Sequence, residues 1–373
     1  MKIECDKSKI EVVIQKTSKL ANKHLTLPVL SCVYFDVLSD NKLIVKSTNL
    51  DIGVEIETKI KTIEKGCLAV PANILLGVLS SIKDERLTFE TKDNNLKISS
   101  NKNSVVIKCL PYEDFPSIPK LVPNSSINED EKLIKINCHD LISGFKSVWY
   151  SASNSSIKPE LSSVYVFKED GGLVFVSTDS FRLAEKKVNI KNIVDFPQTL
   201  IPYKNVSEII KLFDDFNGDI SIIFDRNQAA FIAPDMYVVS RLIDGSFPDY
   251  KQIIPKTFGT TITILKNDLI NSIKTSNIFS DSLNQVKLKV DIKNKLLNIE
   301  SKNNDIGESK ESINALVSGD DIELNFNSKY IIDCIQSIPS DSLVLNFGGM
   351  GKPLAISGAT DKSFLYIVMP MNR

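Results

Sequence analysis

The chain has 373 residues, 42% hydrophobic and 24% charged, with a formal net charge of −1. That length suits two or three domains with cores of their own, and the composition is that of an ordinary globular protein. A near-neutral balance excludes a protein that grips nucleic acid by global charge, although not one that gathers its lysines on a single surface.

No apolar run reaches the length of a bilayer span. The N-terminus, MKIECDKSKIEVVIQ, lacks the apolar segment of a signal peptide, so a cytoplasmic location is expected. Six cysteines (Cys5, Cys32, Cys67, Cys109, Cys138 and Cys334) are scattered without a CxxC pair and are expected to be free thiols, mostly buried.

In chain order, residues 7–23 place Ile10, Val13, Ile14, Thr17, Leu20 and Ala21 on one helical face. Strands are predicted at 33–39, 42–48 and 53–60, with a turn at 39–41. A second helix opens at Pro71, and strands follow at 86–91, 96–100 and 104–110 around a turn at 93–95. The middle third predicts a helix over 139–152, strands near 163–168 and 173–178 around an Asp-Gly-Gly turn at 170–172, a helix over 204–213, and strands at 219–225, 228–233 and 236–243. The last third predicts helices over 266–277 and 328–336, with strands at 286–292, 295–301, 342–347, 353–358 and 363–369.

The thirds resemble one another. VPANILLGVLSSI (70–82), IPYKNVSEIIKLF (201–213) and FNSKYIIDCIQSI (326–338) share one apolar spacing, with Leu79, Ile210 and Ile335 at equivalent places. Upstream, LIVKSTNLDIG (43–53), LVFVSTDSFRL (173–183) and LNIESKNNDIG (297–307) each run from apolar alternation into a polar stop. Both sets of anchors give a period of about 125 to 130 residues. The fold class expected is α+β: three tandem copies of one domain, helices in pairs packed on antiparallel sheets. A linker at 116–131, rich in Pro, Ser, Asn and acid, ends the first domain and FPDYKQIIPKTFG (247–259) ends the second, and the domains are expected at 1–124, 129–253 and 257–373.

The usual ingredients of catalysis are sparse. The two histidines, His24 and His139, lie near no carboxylate or cysteine cluster, so a metal site or a Ser-His-Asp triad has little to draw on. GGMGKP (348–353) fails as a phosphate loop, because Asn346 stands where glycine is needed and Pro353 follows the lysine. The acidic pairs Asp214–Asp215 and Asp320–Asp321 read as solvated turns. No metal and no cofactor is expected.

Several motifs carry a resemblance. TLPVL (26–30), VPA (70–72), EDFP (113–116), STDSFRLA (177–184), SRLIDGSFPDY (240–250) and YIVMPMNR (366–373) resemble, in order along the whole chain, those of the bacterial DNA polymerase III beta subunits, the sliding-clamp family. The resemblance implies three DNA-clamp domains per protomer and a head-to-tail homodimer closing a six-domain ring around duplex DNA, helices inside and sheets outside. It implies a non-catalytic processivity factor of the replicative polymerase complex. The implied partners are the polymerase alpha subunit, the clamp loader, repair polymerases and mismatch-repair proteins, with no membrane.

Residue by residue, the resemblance implies a peptide-binding pocket at Leu161, Thr178, Arg182, Leu183, Pro248, Ile253, Tyr330, Ile367, Met369, Pro370 and Met371, with Thr178 and Arg182 as polar contacts at its edge. DNA contacts are expected from Lys9, Lys16 and Lys23, which recur every seven residues with Lys19 alongside, and from His24, Tyr203, Lys204 and Lys211. The dimer interface is expected at Ile74 and Val105 against Ile278 and Phe279. The chain departs from the family pattern at Ser180 and Phe181, at KPEL (158–161), at Gln252 and at Asn372. A nucleotidyltransferase with its own active site is the alternative function. A tandem-domain adhesion scaffold would need a secretion signal, and a second clamp serving another pathway would look much the same.

Overall fold

Each third of the chain spends its apolar alternation on strands and its 3.6-residue periodicity on two helices, and the computed structural model describes these at residues 1–21, 26–38, 41–121, 133–190 and 193–371. The first repeat comprises β1 (Lys2–Asp6), α1 (Lys7–Ser18), β2 (Cys32–Val37), β3 (Lys42–Thr48), β4 (Ile52–Lys59), β5 (Lys61–Glu64), β6 (Gly66–Pro71), α2 (Ala72–Ser81), β7 (Arg86–Lys92), β8 (Asn95–Ser99) and β9 (Ser104–Ile107). The second comprises β10 (Ile134–Asn137), α3 (Cys138–Val148), β11 (Ser163–Glu169), β12 (Gly172–Thr178), β13 (Arg182–Asn189), β14 (Thr199–Pro202), α4 (Tyr203–Phe213), β15 (Asp219–Phe224), β16 (Gln228–Ala233) and β17 (Met236–Arg241). The third comprises β18 (Thr260–Leu265), α5 (Lys266–Ile278), β19 (Gln285–Asp291), β20 (Leu296–Asn303), β21 (Gly307–Asn314), β22 (Leu316–Gly319), β23 (Ile322–Asn327), α6 (Ser328–Ile335), β24 (Ser342–Phe347), β25 (Leu354–Gly358) and β26 (Phe364–Val368).

All the strand pairs are antiparallel, and the sheets do not respect the repeats. One eight-stranded sheet has the order β10-β15-β16-β17-β4-β3-β2-β6, and one nine-stranded sheet the order β14-β11-β12-β13-β26-β25-β24-β18-β22. Two smaller sheets complete the set, β5-β1-β7-β8-β9 and β21-β20-β19-β23. A single rule generates the large sheets: the third strand of the run β2-β3-β4 or β11-β12-β13 in one repeat (β4, β13) pairs with the last strand of the next repeat (β17, β26). The chain accordingly divides into two compact units, and the division runs through the second repeat. One is Met1–His139 with Val194–Pro197 and Ser207–Leu242; the other is Asp140–Ile193 with Gln198–Val206 and Ile243–Arg373.

The cores form where helix and sheet faces meet. Ile10, Val13, Ile14 and Thr17 are the buried face of α1, and Leu79, Ile210 and Ile335 are buried as their shared spacing requires. Phe35 on β2 stacks on Phe89 on β7 with ring centroids 6.0 Å apart, joining the two sheets of the first repeat. Phe145 on α3 meets Phe175 on β12 edge-on at 5.1 Å. Such wholly buried aromatics each contribute on the order of 1.5–3 kcal/mol.

Two hairpins follow directly from sequence. Asp93 and Asn94 (φ 47° and 58°) and Asp170 and Gly171 (φ 48° and 78°) form the left-handed pairs that a two-residue hairpin demands. Other expectations need correction. The first helix stops at Ser18 instead of reaching residue 23, and Thr17 Oγ1 and Ser18 Oγ turn back onto the carbonyls of Val13 and Gln15. Pro71 ends β6, and its helix starts at Ala72. The 139–152 helix gives way to a 3-10 turn at Trp149–Ser151. Strands β13, β21 and the short ones leading into each helix were not anticipated, and GGMGKP is a plain hairpin connection between β24 and β25.

All six cysteines are free; Cys5, Cys32, Cys138 and Cys334 are buried and Cys67 and Cys109 half-buried. Burial pushes the Cys5 thiol up to about 12, and those of Cys32, Cys109 and Cys138 to about 11. They are therefore inert thiols. Among the described residues no cluster of His, Cys, Asp and Glu could hold a metal ion, and no helix is long and apolar enough to cross a membrane.

Candidate functional site

The β12–β13 connection, Thr178 to Arg182, organises the expected pocket. Thr178 Oγ1 donates to the Arg182 carbonyl at 2.6 Å and accepts from the Ser180 N–H at 3.1 Å. Asp179 Oδ1 accepts from the N–H groups of Phe181 and Arg182, both at 2.9 Å. These four bonds hold Ser180 at φ 77°, a left-handed conformation costly for a residue with a Cβ, and turn Phe181 outward, 63% exposed.

Arg182 points the other way. Its Nε donates to Asp179 Oδ2 at 2.9 Å, Nη1 to Asp333 Oδ2 at 2.7 Å, and Nη2 to the Tyr150 carbonyl at 2.6 Å. Its guanidinium also lies 4.3 Å from the Tyr330 ring centroid. The guanidinium expected as a polar contact at the pocket edge is thus engaged on three sides and ties β13 to α6. Asp179, Asp333 and Tyr150 were missed from sequence. The Asp-x-x-Arg spacing signals the first, but nothing local signals the other two.

The remaining pocket candidates separate into a floor and a rim. Leu183 and Ile367 are cross-strand partners, buried with Phe167, Val174, Val176, Tyr250 and Ala355; Leu161 and Thr178 are buried too. Pro248 is exposed, Ile253 and Met369 are 49% and 36% exposed, and Tyr330, Pro370 and Met371 are half-buried. Backbone bonds fix the chain end there: the Met369 N–H donates to the Phe181 carbonyl and the Met371 N–H to the Asn325 carbonyl, both at 2.8 Å. Tyr250 donates to Glu185 Oε2 at 2.5 Å, and Lys251 is paired with Glu169. Lys251 and Lys187 hydrogen-bond Glu169 and hold its carboxyl below the usual carboxylate range.

The lysines expected at DNA behave unequally. Lys16 makes an ion pair with Asp215 at 2.6 Å, and Lys19 donates to the Lys211 carbonyl at 3.2 Å, so both fasten α1 to the end of α4. Lys9 and Lys211 are exposed beside Asp6 and Glu208, at 3.2 and 2.8 Å. Lys204 is exposed and Tyr203 half-buried. Lys23 and His24 lie outside the described residues, as does Asn372.

The four interface candidates sit beside two sheet edges. Ile74 on α2 and Ile278 at the end of α5 are 55% and 67% exposed, and Val105 and Phe279 are half-buried. Val105 lies on β9, which pairs only with β8 among the described residues. Phe279 packs near Gly307 at the start of β21, which pairs only with β20.

Comparison with known proteins bears on this arrangement directly. Family models of the DNA polymerase III beta subunit match at 1–119 (N-terminal domain), 135–249 (central domain) and 251–372 (C-terminal domain). The beta sliding clamp of Staphylococcus epidermidis is 25% identical over 368 residues, 96% of each chain. That of Streptococcus pneumoniae is 26% identical over 369 residues, again 96% of each. The crystal structure of the DNA polymerase sliding clamp from Bacillus subtilis superposes with a TM-score of 0.92 at 22% identity, covering 100% of this chain and 99% of that one. Three consecutive domain matches, on a fold whose repeats interlock strand by strand, leave one conclusion: the chain belongs to the DNA polymerase III beta subunit family, the beta sliding clamps.

Proposed function

We propose that two of these chains close head to tail around duplex DNA and tether a polymerase to it, with no chemistry of their own. The observation that carries this reading is what the pairing rule leaves over. The third strand of one repeat pairs with the last strand of the next, which satisfies β4 with β17 and β13 with β26. The third strand of the last repeat, β21, and the last strand of the first, β9, remain without their partners among the described residues. A second molecule supplies each: β9 of one protomer beside β21 of its partner, with Ile74 and Val105 meeting the partner subunit's Ile278 and Phe279. An exposed edge of this kind is a template for strand addition.

The near-neutral charge agrees with topological retention. Each phosphate neutralised adds salt-dependent affinity and slows movement along the duplex, so an enclosing protein needs only light contact. Lys9 and Lys211 suit this, since their pairs with Asp6 and Glu208 are exposed and worth little, and either lysine can exchange a carboxylate for a passing phosphate. The buried floor of Leu183 and Ile367 with its rim of Ile253, Met369, Pro370 and Met371 suits an adaptable pocket for short apolar peptides of the polymerase, the loader and repair proteins. The domains are read at 1–124, 129–253 and 257–373.

The test is retention on DNA. Protein loaded on a nicked circle should survive a high-salt wash and be lost once the circle is linearised. Equal retention on both forms would mean that it binds and does not enclose. Nucleotide incorporation by the purified chain with Mg²⁺ would support the nucleotidyltransferase instead.

A further inference from the structure

The two internal repeat junctions match hydrogen bond for hydrogen bond. Thr48 Oγ1 donates to the Ile52 carbonyl at 2.9 Å and accepts from the Leu50 N–H at 3.0 Å; Asn49 Oδ1 accepts from the N–H groups of Asp51 and Ile52 at 3.1 and 2.9 Å. Leu50 takes the left-handed conformation (φ 77°) that Ser180 takes. The Arg241 N–H donates to the Asp51 carbonyl at 2.8 Å, as Met369 does to Phe181, and Val239 faces Gly53 as Ile367 faces Leu183. By this correspondence Thr48, Ile52, Gly53, Pro116, Val239 and Arg241 stand where Thr178, Arg182, Leu183, Pro248, Ile367 and Met369 stand. Those six residues line one cleft of about 250 Å³ in the first unit, together with Leu50, Asp51, Ser117, Pro119 and Gln228.

We infer that this cleft is a second docking site for an extended peptide carrying an aliphatic or aromatic side chain next to a carboxylate. The inference rests on reading the Leu183 and Ile367 pocket as a peptide site. Three differences set the occupant. Gly53 replaces Leu183, and the Ile118 side chain takes the space beside it, 3.0 Å from where a Cβ would stand. The buried cation is gone, since Ile52 is 1% exposed in the place of Arg182. The cation moves to the rim instead: Arg241 replaces Met369, its side chain 66% exposed and held only by a loose, solvent-exposed ion pair with Asp51 at 4.0 Å, which an incoming carboxylate can replace. The result is an apolar floor with one accessible guanidinium, which matches a carboxylate by a paired fork geometry. The volume is below that of ordinary small-molecule sites and takes one or two side chains.

The wall is held before any ligand arrives. Tyr237 donates to the Pro119 carbonyl at 3.0 Å and accepts from the Leu121 N–H at 2.9 Å. Lys120 pairs with Glu55 at 2.6 Å, and Phe115 packs on Tyr34 with centroids 5.0 Å apart. A preformed wall lowers the ordering cost of docking.

The probe is the acetylated, amidated hexapeptide Ser-Leu-Phe-Glu-Ser-Gly, titrated into the full chain with labelled Ile, Leu and Val methyls. Saturable shifts at Leu50, Ile118 and Val239 are expected, weakened about tenfold when glutamine replaces the peptide's glutamate or when Arg241→Glu is introduced. Gly53→Val, whose side chain has no room beside Ile118 and would push it into the cleft, should abolish them; an unchanged spectrum elsewhere establishes that either variant is folded. Shifts confined to Leu183 and Ile367 would overturn the second site and keep the first. Shifts at Leu50 and Val239 alone would support the second site and count against the first. No shift at either site would overturn both.

Discussion

Replacing Arg182 with isoleucine removes the guanidinium that ties β13 to α6. Three charge-assisted bonds of 2.6–2.9 Å disappear, to Asp179, to Asp333 and to the Tyr150 carbonyl. The Asp179 side chain is 14% exposed, so Arg182→Ile strands a largely buried charge, which costs about 3–5 kcal/mol. Asp333 is 42% exposed and rehydrates, adding about 0–1 kcal/mol. The first repeat shows the remedy, because there the same turn pairs Asn49 with Ile52. Adding Asp179→Asn removes the stranded charge while keeping an oxygen to accept from the N–H groups of residues 181 and 182. The double variant should recover about 2 kcal/mol of the loss. The single tryptophan, Trp149, lies beside Tyr150, so its fluorescence during urea unfolding reports this unit. A loss below about 1 kcal/mol for Arg182→Ile, or a double variant no more stable than the single one, would refute the argument that this charge is buried and structurally engaged.

Further outcomes follow from other contacts. In α3, a Cβ on Gly144 would lie 2.5 Å from the Phe175 ring, so Gly144→Ala should destabilise by about 1–3 kcal/mol despite alanine's better helix propensity, seen as a lower urea midpoint. Ile278→Asp, at a side chain 67% exposed, should leave the unfolding of the chain nearly unchanged but weaken dimerisation at least about tenfold by sedimentation; a dimer of wild-type affinity would remove Ile278 from the interface. The depressed carboxyl of Glu169 contributes stability that is present above the unfolded-state pKa and lost as pH falls through the lower folded value. Acid should therefore release Lys251, and Glu169→Gln should flatten that part of the stability–pH curve. Lys16→Ala should cost less than about 1 kcal/mol, because the Asp215 side chain is 65% exposed, and should barely change retention on circular DNA.

Much of this fold can be read from local pattern. The Asp-Gly and Asp-Asn hairpins announce themselves through residues that accept positive φ, and the helices through apolar spacing at Leu79, Ile210 and Ile335. What stays hidden is set by distant partners. Strand β21, GESKESIN, shows almost no apolar alternation and is a strand because β20 pairs along its length. Strand β13 is polar in sequence, yet lies between β12 and β26. The lysine stripe of α1 looks uniform, but Lys16 meets Asp215, 199 residues away, while Lys9 stays near solvent. In the pocket, the apolar floor is legible as a motif. The engagement of Arg182 is not, because Asp333 and Tyr150 come from other elements. The cleft around Gly53 follows from aligning the repeats, once the equivalence of Thr48 and Thr178 is extended to Val239 and Ile367.

Repeats joined by a strand-to-strand rule have seams of two kinds. Those at β4–β17 and β13–β26 are tethered by the polypeptide, so their effective concentration is independent of how much protein is present. The seam proposed between β9 and the partner's β21 would have no tether and would obey mass action, weakening on dilution while the internal seams hold. A machine that must open the assembly without unfolding it therefore has a natural place to pull.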